Sequence, residues 1–340
     1  MMKKSTFRFS DSSTDFYFDA SFSNINQLVN KEHSVIITDQ NVFDSHKNKF
    51  KSWNSIILKP GEKYKVQKTA DTIIDQLVGM QADRTTWLVG VGGGVVTDIT
   101  GYVASIYMRG LSFGFIPTSL LGMVDAAIGG KNGIDVGVYK NLVGSIRQPE
   151  FLLYDINFLK TLPEAEWING FAEIIKHSCI KDADMFSLLE RNNINNIRKN
   201  KSLLSGLIKQ NARLKANVVM SDEFEKGERK LLNFGHTLGH ALENQYKLAH
   251  GQAIAIGMAN ACVISEQITG FKQTDKVIAM LEKYKLPTFT EFDKKKVFNI
   301  LTMDKKRHRK EINYILLEKI GRAVIKSLPL NKLQKIIGEL

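Results

Sequence analysis

Thr85-Thr-Trp-Leu-Val-Gly90-Val-Gly-Gly-Gly94-Val-Val-Thr-Asp98 runs from strand to turn to helix within fourteen residues. The β-branched and aromatic run Thr85–Val91 predicts a buried strand. Gly92, Gly93 and Gly94 then let the backbone turn tightly and approach a ligand, and the residues after them open a helix. A helix that starts beside a glycine turn presents free amides to an anion such as a pyrophosphate. The spacing departs from Gly-x-Gly-x-x-Gly, because Val95 occupies the place of the third glycine. A tight turn without a ligand is the competing reading.

Outward from this point the same alternation recurs. Residues 34–38, 55–58, 112–116 and 151–154 are short apolar runs ended by turn residues, with helical stretches between several of them. That order predicts a parallel sheet covered by helices. Beyond about residue 156, β-branched runs nearly vanish and a period of 3.6 takes over. Thr161-Leu-Pro163-Glu164 reads as a helix start, with Thr161 as the cap and proline in the first turn. The chain is therefore expected to hold two domains. Residues 1–157 form an α/β nucleotide-binding domain with a Rossmann-like parallel sheet. Residues 158–340 form a mainly α-helical domain with a small strand pair around 312–317, and the site is expected in the cleft between the two.

Hydrophobic residues make up 43% and charged residues 24% of the chain, the balance of an ordinary globular protein. No apolar run approaches a membrane span. The opening Met-Met-Lys-Lys-Ser-Thr-Phe-Arg-Phe-Ser lacks the apolar stretch of a signal peptide. Cys179 and Cys262 cannot build a disulfide framework, so a reducing cytoplasm is expected. The net charge of +12 suits nucleic acid, a membrane surface or an anionic small molecule. The basic runs 294–296 and 305–310 contain no aromatic residues, and no nucleic-acid motif accompanies them. The anionic small molecule is the expected partner.

Three of the seven histidines, His236, His240 and His250, lie within fifteen residues among glycines. Neutral imidazole is the commonest metal ligand. His236 and His240 are four apart and share a helix face, while His250 opens a second helix. Glu173 and Lys176 share a face of an earlier helix, in the run Gly170-Phe-Ala-Glu-Ile-Ile-Lys-His177. A surface ion pair is the plain reading. Yet a carboxylate among apolar neighbours needs a partner, and a divalent cation is one. Two histidines and a glutamate make a catalytic zinc set with an open position. Spacing alone leaves open which two histidines join Glu173. A second glycine cluster, Ile128-Gly-Gly-Lys131-Asn-Gly133, carries a lysine suited to phosphate or carboxylate, and Lys140-Asn141 follows it.

Taken together these segments resemble the 3-dehydroquinate synthases, within the sugar phosphate cyclases. Further matching pieces are Pro60-Gly-Glu-Lys-Tyr-Lys65, Met108-Arg-Gly110, Pro117-Thr-Ser-Leu-Leu121, Val124-Asp125, Asp222-Glu223 and Leu232-Asn-Phe-Gly-His-Thr-Leu-Gly-His-Ala-Leu-Glu243. The resemblance runs from about Asp39 to about Lys306. It implies that Glu173, His236 and His250 hold one divalent metal, zinc or cobalt. It implies NAD binding by Asp39, Asn41, Pro60, Gly61, Glu62, Lys63, Tyr64, Lys65, Gly94, Val95, Val96, Thr97, Asp98, Thr118, Ser119, Lys131, Lys140, Phe158, Leu159, Lys160 and Thr161. It implies substrate contacts from Asp125, Lys131, Asn141, Lys176, Lys215, Arg229, Asn233, His240 and a lysine of the second basic run, Lys306 in preference to Lys305. Arg109 is implied to reach a phosphate across a homodimer interface.

The implied reaction converts a seven-carbon keto sugar acid phosphate to 3-dehydroquinate and phosphate, with NAD regenerated. Thr97, Ala126-Ala127, Asn132 and Ser145-Ile-Arg147 depart from the family's commonest pattern, and bear on the loop around Lys131. The rivals are a sister cyclase acting on a sugar phosphate without a carboxylate, a metal-dependent alcohol dehydrogenase and a basic nucleic-acid-binding protein.

Overall fold

The computed structural model describes residues 2–137, 139–246, 248–303 and 311–339. They group into two compact units, Met1–Glu166 with Ile208–Phe224, and Trp167–Leu207 with Glu225–Leu340.

The first unit is built on a seven-stranded sheet. Its strands are β1 (Lys3–Arg8), β2 (Ser13–Phe18), β3 (Ser34–Asp39), β4 (Asn54–Leu58), β5 (Trp87–Gly92), β6 (Phe113–Pro117) and, after the hairpin β7 (Lys131–Val136) and β8 (Tyr139–Ile146), β9 (Phe151–Leu153). The order across the sheet is β1-β2-β9-β6-β5-β3-β4. Every neighbouring pair is parallel except β1 with β2. β6 is buried along its whole length and β5 from Leu88 on, as strands covered on both faces must be. Ile36, Val89, Val91, Ile116 and Leu153 form one core with Phe22, Phe50 and Phe158. The Gly94–Ile106 helix follows β5 directly and packs on β5, β6 and β7.

Five strands expected from sequence are thus present, together with two elements that were not expected. β1 and β2 form an edge hairpin, and β7 and β8 form a separate antiparallel pair. One expectation fails outright. Thr161 does not cap a helix. It ends a 3-10 turn, Ile156–Thr161, with its hydroxyl donating to the Phe158 carbonyl at 3.1 Å, and the helix begins at Glu164. The reason is local: Leu162 precedes proline and is held extended at ψ 126°, which separates Thr161 from the helix.

The second unit is mainly helical. Glu164–Lys181 supplies it from Trp167 onward, and His236–Tyr246 packs against His250–Thr269. Leu238, Ala241, Leu242, Ile256 and Val297 form a core there. The expected strand pair is the antiparallel hairpin β10 (Glu311–Lys319) and β11 (Arg322–Pro329), with β10 lying on the His250–Thr269 helix. Among the described residues no helix is long and apolar enough to cross a membrane.

Candidate active site

In the first unit, strand order itself marks a ligand position. From β3 the chain goes outward to β4, then returns to β5 on the other side of β3. The carboxyl ends of β3 and β5 therefore flank a switch point, where open parallel sheets bind their ligands. A small pocket lies there, lined by Asp39, Pro60, Gly61, Tyr64, Val95 and Val96 among others. Asp39 ends β3 and caps the next helix, its Oδ1 accepting from the amides of Asn41 (2.9 Å) and Val42 (3.1 Å). Burial pushes the Asp39 carboxyl upward, and those two amides pull the other way.

Gly93 and Gly94 keep the turn bare. A Cβ on Gly93 would lie 3.3 Å from Ser119 Oγ, and one on Gly94 3.2 Å from Ala126 Cβ. The bare amides at this helix start suit the anionic part of a dinucleotide.

Beside the turn, the buried Lys65 ammonium pairs with Asp98 and reaches Asn141 Oδ1. Burial opposes the Lys65 charge, but Asp98, Glu62 and Asp135 outweigh it and raise its pKa. The loop is braced by backbone: Asp135 N–H donates to the Lys65 carbonyl at 2.7 Å, and Asn141 N–H to Asp135 Oδ1 at 2.8 Å. Asn141 holds a left-handed φ of 53°, and Lys140 Nζ stands 3.9 Å from Glu62. Lys215 donates to the Asp125 carbonyl at 2.8 Å, and its ammonium pairs with the Asp125 carboxylate at 2.8 Å.

Two of the residues that depart from the resembled pattern, Thr97 and Asn132, have structural roles in this unit. The Thr97 hydroxyl donates to the Gly94 carbonyl at 3.0 Å. The buried Asn132 side chain donates to the Gly130 and Arg147 carbonyls, both at 2.9 Å, which fixes the loop carrying Lys131.

Not every expected side chain faces outward. Phe158 and Leu159 are 1% exposed and belong to the core, so their stretch can meet a ligand only through backbone, Lys160 or Thr161. Arg109 is exposed and follows Met108, the two sharing left-handed φ values of 69° and 49°.

In the second unit, Glu173 is fully buried among Phe171, Ala172, Ile174 and Ile175. Its partners are the Lys176 ammonium one turn on, His250 Nε2 at 3.0 Å and His236 Nε2 at 3.7 Å. Close approach of two helices makes this possible. Gly235 carries φ +79°, and a Cβ there would lie 2.8 Å from the Ile254 carbonyl. One on Gly239 would lie 2.9 Å from the Ala253 carbonyl. Without side chains at these positions the helix of His236 and His240 lies directly on that of His250. The rings of His236 and His250 are 5.6 Å apart, and that of His240 is 5.0 Å from His236.

Among the described residues, one donor atom each from Glu173, His236 and His250 fall within 4.8 Å of one another. Tetrahedral donors about 2.1 Å from an ion stand about 3.4 Å apart, between the two Glu173 distances. The spread of these donors fits a divalent metal, and of the two pairings that spacing left open the described geometry groups His236 and His250 with Glu173. His240 is exposed and outside that set.

Protonation differs between the two imidazoles. Burial, reinforced by the Lys176 ammonium, holds His236 well below the usual histidine range, which leaves its imidazole neutral. Burial also opposes the charged form of His250, but Glu173 and Glu243 prevail and raise it to about 9. Glu243, 3.7 Å from His250 Nδ1, was missed by sequence reasoning. Its signal was present, since His236, His240 and Glu243 follow the i, i+4, i+7 stripe of one helix face. Arg229 is buried on the turn Glu228–Asn233, and Asn233 donates to Glu225. Lys306 lies outside the described residues.

Residues 55–169 match the family model for the 3-dehydroquinate synthase N-terminal region, and 170–307 that for its C-terminal region. A 3-dehydroquinate synthase of Pyrococcus abyssi is 40% identical over 288 residues, covering 84% of this chain and 85% of the relative. One from Methylacidiphilum infernorum is 44% identical over 274 residues, covering 78% and 75%.

Among solved structures, a 2-deoxy-scyllo-inosose synthase complexed with carbaglucose-6-phosphate, NAD+ and Co2+ aligns with TM-score 0.86 at 24% identity, over 99% of both chains. A 2-epi-5-epi-valiolone synthase from Streptomyces hygroscopicus with NAD+ and Zn2+ bound gives 0.87 at 23%, again over 99% of both. An NADH-dependent butanol dehydrogenase from Thermotoga maritima gives 0.63 at 16%, over 98% of both. These three share the fold. By its sequence along both halves, the chain belongs to the 3-dehydroquinate synthase family.

Proposed function

We propose that the chain is a 3-dehydroquinate synthase, converting 3-deoxy-D-arabino-heptulosonate 7-phosphate to 3-dehydroquinate and inorganic phosphate. The observation that carries this is the convergence of Glu173, His236 and His250 in a chain matching the family along both halves. When bound, NAD supplies a reversible hydride acceptor and a zinc or cobalt ion supplies a Lewis acid at the hydroxyl being oxidised. Oxidation of that hydroxyl acidifies the neighbouring C–H, and phosphate leaves by elimination. The ketone is then reduced again, the ring opens, and an aldol closure forms the carbocycle. The net redox change is zero.

The chain's own residues bind and orient. Glu173, His236 and His250 hold the cation. Asp39, Asn41, Pro60–Lys65, Gly94–Asp98, Thr118, Ser119, Lys131, Lys140 and the 158–161 stretch hold the cofactor. Lys65, fixed by Asp98 and Asn141, is a rigid cation rather than a mobile one. Lys131, Lys176, Lys215, Arg229 and His240, with Asp125, Asn141, Asn233 and Lys306, contact the substrate. Their positive charges match its carboxylate and phosphate, whose removal from water would otherwise be costly. No protein base is assigned, because the leaving phosphate can take the proton.

We further assign the chain to the cytoplasm as a homodimer, in which exposed Arg109 reads a phosphate across the interface. Equilibrium sedimentation checks the dimer, and a monomer at working concentration contradicts it. Substrate choice tests the main reading. Phosphate release from the heptulosonate phosphate, with none from glucose 6-phosphate or sedoheptulose 7-phosphate, is expected. Turnover of a sugar phosphate lacking the carboxylate would instead make the chain a sister cyclase.

A further inference from the structure

We propose that Glu243 is a positioning residue for His250 and that its carboxylate tunes the affinity of the site for its cation. The inference rests on reading Glu173, His236 and His250 as the metal set. The His250 ring lies between two buried carboxylates, with Nε2 3.0 Å from Glu173 Oε1 and Nδ1 3.7 Å from Glu243 Oε2. The Glu243 side chain is 5% exposed, while that of His250 is 27% exposed and needs an anchor to keep one orientation.

The same helix carries His236, whose Nδ1 faces the Phe234 carbonyl at 3.1 Å. Each histidine of the set thus presents Nε2 to Glu173 and has an oxygen on its Nδ1 side, at hydrogen-bond distance for His236 and at ion-pair distance for His250. For His236 the oxygen is a neutral carbonyl and for His250 a carboxylate. A carboxylate behind a ligating imidazole fixes its tautomer and raises its basicity. Glu243 therefore acts through His250 and touches neither substrate nor cofactor in this assignment.

Cobalt(II) binding to the full chain tests this, with affinity read by competition against a chromophoric chelator and geometry read from the visible bands. Glu243→Ala is expected to weaken cobalt about 100-fold and Glu243→Gln about 10-fold, with shifted bands. Glu243→Asp should recover part of the loss. The isosteric Gln variant keeps the question open to test if the Ala variant fails to fold. Turnover should recover at saturating metal, with the half-saturating metal concentration raised.

In a His250→Ala background, Glu243→Gln should have no further effect on cobalt affinity. A Gln variant within twofold of wild type, with unchanged bands, overturns the inference. So does an undiminished effect in the His250→Ala background. If His250→Ala itself binds cobalt like wild type, the metal set is what fails.

Discussion

Removing one ligand of the proposed metal set has a consequence that can be sized before any activity is measured. Structural zinc sites with four ligands bind with about 10–16 kcal/mol, or about 3 kcal/mol per ligand. His250→Ala should therefore weaken zinc at least about 100-fold. At a free zinc concentration of about 100 times the wild-type Kd, linkage stabilises the wild type by about 2.7 kcal/mol. The variant, then near its own Kd, gains only about 0.4 kcal/mol. A unit of this size shifts its midpoint by roughly 2–4 °C per kcal/mol. Zinc should raise the wild-type Tm by roughly 5–10 °C and the variant's by about 1–2 °C. Scanning calorimetry with zinc and then with chelator reads both. An equal zinc shift in the two proteins would refute the ligand assignment.

Other outcomes follow from the same geometry. His250, raised from 6.5 to about 9, gives the metal-free fold stability that is fully present below pH 6.5 and is lost as pH rises through about 9. The cation must displace that proton, so metal affinity should fall about tenfold per pH unit below 9, as competition titrations at pH 7 and 8 would reveal. Lys65→Met leaves Asp98 without its buried ammonium partner. It should cost about 3 kcal/mol in urea unfolding and weaken NAD binding measured by calorimetry. Gly239→Ala would force a methyl to within 2.9 Å of the Ala253 carbonyl. It should destabilise by about 1–3 kcal/mol and lower metal affinity, whereas Gly206→Ala, with open space around it, should do neither.

How much was legible in the sequence depended on whether a residue's partners are local. The strands β3, β5 and β6 read clearly because burial on both faces leaves them continuous apolar runs. β1 and β2 did not, because on an edge hairpin polar and apolar residues mix. The β7–β8 hairpin was hidden by Gly133, Gly137 and Gly144, which weaken a strand pattern, and by the cluster 128–133 at its start, which reads as an anion loop. Leu162 undid the Thr161 cap through the proline after it, a restriction visible in sequence but outweighed there by the capping pattern.

The histidine-rich stretch announced a site, yet spacing favoured neither His240 nor His250 as the second imidazole. That choice depended on how closely two helices approach, which Gly235 and Gly239 permit. The pairing of Lys65 with Asp98 crosses elements and no local pattern encodes it, whereas Glu243 shares a helix stripe with His236 and His240 and was legible on that ground.

The most direct test of the central claim is phosphate release from the heptulosonate phosphate with NAD well below the substrate concentration, while absorbance at about 340 nm is followed. The account predicts many phosphates released per NAD, no net NADH at the end, and complete loss on chelation with recovery on adding zinc or cobalt. Stoichiometric NADH accumulation, or phosphate release that persists without metal or NAD, would contradict it.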